Sequence, residues 1–71
     1  MKKKIISVYA YEVQAGDTIV VKQGNVRKFF HVCEFALINE ERCMIVYNGS
    51  RGEFVRIDKG VNDTVRIRIE E

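Results

Sequence analysis

The chain has 71 residues, 46% of them hydrophobic and 31% charged, with no proline and no tryptophan. That length holds one domain, and surface scaling leaves roughly 4,600 Å² exposed of about 12,000 Å² in the extended chain, a thin core in which a deep catalytic cleft is hard to build. The formal net charge of +2 conceals an uneven spread: Lys2, Lys3 and Lys4 supply three positive charges, while residues 5–71 carry nine basic and ten acidic side chains.

The opening Met1-Lys2-Lys3-Lys4-Ile5-Ile6 imitates the basic start of a signal peptide. Its apolar run stops at Ser7, and Glu12, Gln14 and Asp17 follow where a hydrophobic region should continue. The expectation is a cytoplasmic protein, one domain over residues 1–71 with 1–4 as a basic tail. No stretch approaches the roughly 18 apolar residues of a membrane span, so no membrane partner is expected.

Residues 4–13 (KIISVYAYEV) are rich in β-branched and aromatic side chains and predict a first strand. Ala15-Gly16-Asp17 turns the chain into a short strand over 18–22, and Gly24 is free to take a positive φ in the next turn. Residues 26–37 (VRKFFHVCEFAL) form the longest extended run, long enough to bend or to carry a bulge. A helix over 35–44 fails because its apolar residues do not hold a 3.6 spacing.

Asn39-Glu40-Glu41 predicts a hairpin turn into a strand over 42–47, and Asn48-Gly49 opens a longer loop before a strand over 53–57. Residues 58–63 connect to a last strand over 64–69. Five or six short strands without a helix must hide one apolar face, and curling the sheet on itself does so. The predicted fold is therefore all-β: a small single-domain antiparallel barrel, closed or nearly so, SH3-like in preference to OB-like.

Val13-Gln14-Ala15-Gly16-Asp17-Thr18-Ile19, followed by Gly24 and Phe30-His31-Val32, resembles the opening of small barrel domains of phage and bacterial proteins. In those a Gly-Asp turn leads into a strand, a tight turn and a second strand. The resemblance covers residues 13–32 and implies the same fold class, with no catalytic residue attached. A phage- or mobile-element-encoded accessory protein fits it.

Strand alternation assigns the faces. Val65, Ile67 and Ile69 point inward, as do Val55 and Ile57. Pairing Tyr47 near Glu53 sets Ile45 opposite Val55 and Cys43 opposite Ile57. Ile19, Val32, Ile45, Val55, Val65 and Ile67 are the expected core. Met44, Val46 and Phe54 then lie outside, with Phe29 or Phe30 and beside Arg56, Arg66 and Arg68. Either the N-terminal strand covers this patch, or another chain docks on Met44, Val46, Phe54, Arg56, Arg66 and Arg68, since aromatics and arginine carry interface energy well.

His31, Cys33 and Cys43 are the only cluster with metal-ligating chemistry. A hairpin centred near Ile38 would bring Cys43 opposite Cys33, but no tight Cys-x-x-Cys knuckle is present, and packed thiols are the simpler expectation. His31 and Cys33, two apart on one strand face, sit roughly 6–7 Å apart, too far for a nucleophile and its base. No metal, cofactor or catalytic residue is expected. The reading is a non-enzymatic accessory protein that docks on itself or on an unidentified protein. The alternative is single-stranded nucleic acid, stacked on Tyr9, Tyr11, Phe29, Phe30 or Phe54 beside Arg27, Lys28, Arg66 and Arg68.

Overall fold

Long extended runs separated by glycine- and asparagine-containing turns build strands, and the computed structural model, which describes residues 2–71, contains six. They are β1 Lys3–Tyr9, β2 Thr18–Gln23, β3 Val26–Leu37, β4 Arg42–Asn48, β5 Phe54–Gly60 and β6 Thr64–Glu70. All neighbours are antiparallel, in the order β1-β6-β2-β3-β4-β5. Met1 lies outside the described residues. The rest of the expected basic tail does not stand free: Lys3 and Lys4 belong to β1, and Lys4 Nζ meets Glu71 Oε1 at 3.0 Å on the surface.

The β2–β3 turn is a two-residue loop, with Gln23 opposite Val26 and a positive φ of 62° at Gly24. That pattern follows the twist of the flanking strands. The expected strand over 4–13 is shorter than its composition suggests. The chain leaves the sheet at Tyr9 and makes one 3-10 turn over Ala10–Glu12, which buries Ala10 and then Val13.

β3 serves both halves of the sheet. Its first part pairs with β2 and its second with β4, and the register shifts between Val32 and Glu34. Cys33 is the extra residue of this bulge. Before it the inward positions are even (Phe30, Val32); after it the inward position is odd (Phe35, against the core). The bulge lets one strand bend without turning its apolar residues to water.

Core positions come from β2, β3, β4 and β6, where Ile19, Phe30, Val32, Cys43, Ile45, Tyr47, Val65 and Ile67 are buried, and Ile6 and Val8 of β1 and Val55 of β5 pack against them half-buried. The Phe30 and Tyr47 rings meet with centroids 4.9 Å apart, joining the two halves. Leaving β3, Tyr47 faces Val55, Ile45 faces Ile57 and Cys43 faces Lys59. This register is two residues away from the expected one. A slip of two keeps every side chain on its face, so the inside and outside assignments survive.

The sheet curls but does not close. Its terminal strands β1 and β5 are not hydrogen-bonded to one another. The 3-10 turn and the β5–β6 turn bridge part of the opening, with Ala10 N–H donating to Asp63 O at 2.7 Å and Val61 N–H to Glu41 O at 2.8 Å. The chain exposes 5140 Å², above the roughly 4,600 Å² of an average globule of this mass.

Candidate functional site

The Gly16-Asp17 turn is a structural joint. The Asp17 carboxylate accepts from Gln14 N–H at 2.9 Å, Gly16 N–H donates to Val32 O and Val32 N–H to Asp17 O, both at 2.8 Å. These bonds carry β2 across to the bulged middle of β3. Thr18 and His31 are therefore opposite one another, with Thr18 Oγ1 3.3 Å from His31 Nδ1.

Residues directly opposite in antiparallel strands share a face, so the outer face of β1-β6-β2-β3 can be read from the register. Ile5, Arg68, Thr18 and His31 form one row across it. Ser7 and Arg66 form part of the next, and Val20 pairs with Phe29 and Lys22 with Arg27. The charged strand side chains on this face are Lys3, Lys22, Arg27, Arg66 and Arg68, with Glu70, and Glu12 stands at its Tyr9 corner, accepting from Tyr9 N–H at 3.0 Å. Phe29 is 40% exposed among them, and the Arg68 guanidinium carbon lies 4.4 Å from its ring centroid. At one corner Tyr9 and Tyr11 stack, centroids 5.5 Å apart and rings 11° from parallel.

Most of the other acidic residues lie elsewhere. Glu34 and Asp58 are on the outer face of the other half, and Glu40, Glu41, Glu53 and Asp63 are in its turns. The near-neutral body seen in the sequence thus divides into a basic face and a more acidic remainder. Composition alone had assigned the positive excess to the tail.

The outer face of β3-β4-β5 holds four of the six expected interface residues. Met44 stands beside Asp58 and Ala36, Val46 beside Arg56 and Glu34, and Phe54 beside Asn48. Met44 and Val46 are half-buried and Phe54 is 75% exposed. Arg66 and Arg68 are not with them, because β6 pairs with β1 and β2 and never reaches β5. β1 does not cover the patch either; it extends the other edge.

Arg56 donates to Asp58 from Nε at 2.9 Å, both side chains on the exposed face. This bond holds the Asp58 carboxyl below its ordinary range and raises the guanidinium further. Between β5 and the β2–β6 pair lies the open seam of the sheet, a groove of about 580 Å³ over Ile19, Val21, Tyr47, Ile57 and Val65, with Lys59 at its rim. Val20 to Gln23 of β2 and Thr64 to Arg66 of β6 diverge there without pairing.

The thiols are separated. Cys43 faces Leu37, because the hairpin centres near Glu40 and not near Ile38, and it is fully buried. Burial, with Asp63 adding to it, pushes its pKa up. Cys33 is exposed at the bulge, its Sγ 3.8 Å from His31 O. Both are free, and among the described residues no three His, Cys, Asp or Glu side chains converge. No helix among those residues is long and apolar enough to cross a membrane. Comparison with protein-family models, with curated proteins and with solved structures gives no match to this chain.

Proposed function

We propose that the chain is a non-enzymatic binding protein whose basic outer face on β1-β6-β2-β3 takes single-stranded nucleic acid. The observation that carries this reading is the segregation of Lys3, Lys22, Arg27, Arg66 and Arg68 around the half-exposed Phe29, with Glu70 and Glu12 at the margins of the field. A base stacks on a planar guanidinium as it does on an aromatic ring, so Arg68 over Phe29 supplies a sequence-tolerant platform. The surrounding cations contact phosphates, which makes binding strong at low salt and weak at high salt.

An SH3-like arrangement is favoured over an OB-like one by two features. β2 to β5 run as consecutive antiparallel neighbours with β6 returning beside β2. The connection from β3 to β4 is too short for a helix.

Titration of a labelled single-stranded oligonucleotide at about 0.05 M and about 0.15 M salt tests the proposal. Micromolar binding that weakens steeply with salt is expected. No binding at the lower salt overturns it.

Docking on protein is a second reading. It is favoured by Phe54, a residue 75% exposed on the same face as the half-buried Met44 and Val46.

A further inference from the structure

We infer that β5 is a self-association edge, and that two copies pair antiparallel through Val55–Lys59 about a two-fold axis at Ile57. This names the partner in the docking reading above, and it is independent of the nucleic-acid reading.

β5 is a terminal strand, paired with β4 along all seven residues and with nothing on its other side. No backbone hydrogen bond joins its outer edge from Phe54 to Lys59 to any described residue. Free edges are usually blunted by proline, by bulges, by short length or by charged side chains. The chain has no proline, and the β4–β5 register runs without interruption. Lys59 is the one charge of inward parity, half-buried near the strand end, and the outward Arg56 and Asp58 are bonded to each other.

The order of side chains selects the partner. With the axis at Ile57, Arg56 of each copy stands opposite Asp58 of the other and Val55 opposite Lys59, and the pairing ends before Gly60, whose N–H and C=O are bonded to Asp63. Both ion pairs form on the outer face, where Arg56 and Asp58 already bond within the chain, so the dimer gathers four alternating charges. Moving the axis to Arg56 or to Asp58 would set like charges opposite each other, which is destabilising. Moving it by half a residue would put the core-facing Val55 and Ile57 of one copy on the solvent face of the other. Ile57 against Ile57 extends the apolar floor of the seam across the axis.

One added strand pair is a small interface, so association is expected to be weak. Sedimentation velocity from about 10 to about 500 µM should show a monomer passing to a dimer and stopping there. Arg56→Asp and Asp58→Arg should each remain monomeric over that range, because like charges then meet across the axis. An equimolar mixture of the two variants should recover a heterodimer, since each then supplies the charge the other lacks. Circular dichroism of each variant checks that the fold is kept, and both positions are on the surface. A wild-type chain that stays monomeric overturns the inference, as does a single variant that dimerises like the wild type or a mixture that stays monomeric. Oligonucleotide binding by the same variants should be unchanged, which separates failure here from failure of the basic face.

Discussion

Arg68 lies over Phe29, its guanidinium carbon 4.4 Å from the ring centroid, although one residue sits in the chain's last strand and the other in its third. β2 makes the contact possible. Arg68 is opposite Thr18, and Phe29 is opposite Val20, so the two meet diagonally across a shared neighbour. Diagonal neighbours across strands are within reach of long and aromatic side chains.

Phe29→Ala and Arg68→Ala should both weaken oligonucleotide binding, by an amount near the ~1–3 kcal/mol of one stacked base. They should differ in salt dependence. Loss of Arg68 removes a cation and should flatten the slope of log affinity against log salt by about one, while loss of Phe29 should leave it as it was. Equal slopes for both variants would mean that Arg68 touches no phosphate.

Ile67→Ala should destabilise the fold by about 2–5 kcal/mol in urea denaturation, because a buried branched side chain leaves a cavity. Ile67 is 7% exposed, at the centre of β6 between β1 and β2. Leu37→Ala, at a residue 64% exposed, should stay within about 0.5 kcal/mol. Equal costs at the two positions would contradict the face assignment of β6.

Gly24→Ala should cost about 1–2 kcal/mol, since an L-residue resists a positive φ. A Cβ at Gly24 meets nothing within 4 Å, so the cost is conformational and not a clash. Thermal melts of the variant measure it. An unchanged midpoint would show that the β2–β3 turn readily takes another form.

A thiol reagent added to the native protein at mildly alkaline pH should modify one cysteine quickly and the other only as the protein unfolds. Cys33 is exposed, whereas Cys43 is buried with a raised pKa. Peptide mapping identifies which has reacted. Rapid reaction at Cys43 would mean that the β3–β4 end of the sheet opens easily.

The Asp58 carboxyl should titrate below 3.8, because Arg56 hydrogen-bonds its charged form. A depressed value in the folded state contributes stability above the unfolded pKa, and that contribution is lost as pH falls through the folded one. The window thus lies below about pH 4, and the effect on stability is small because the pair is exposed. Carboxyl chemical shifts in wild type and in Arg56→Ala test it: the midpoint should rise in the variant, and an unmoved midpoint would remove Arg56 as the cause.

The strands and their faces were legible in the sequence, because alternation is local. The β3 span and the buried Ile19, Val32, Ile45, Val65 and Ile67 follow from periodicity, and the β4–β5 faces survived a two-residue register error. Gly24 and the turn around Asn39 follow from turn chemistry in the same way. The 3-10 turn at Ala10–Glu12 gave no such sign. Its residues resemble strand residues, and only the docking of Ala10 against the β5–β6 turn makes them leave the sheet.

What tertiary structure decided is which strands are neighbours. β6 follows β5 in the chain, yet it inserts between β1 and β2, taking Arg66 and Arg68 away from Met44, Val46, Phe54 and Arg56 and bringing them to Phe29. The same choice collects the basic residues on one face. Net charge is a sum over the chain and does not register this, whereas a surface field depends on which charges lie side by side. Alternation tells each strand which side to bury. Its partner is set by the burial available to the whole sheet and by the reach of its connections, and neither is written within the strand itself.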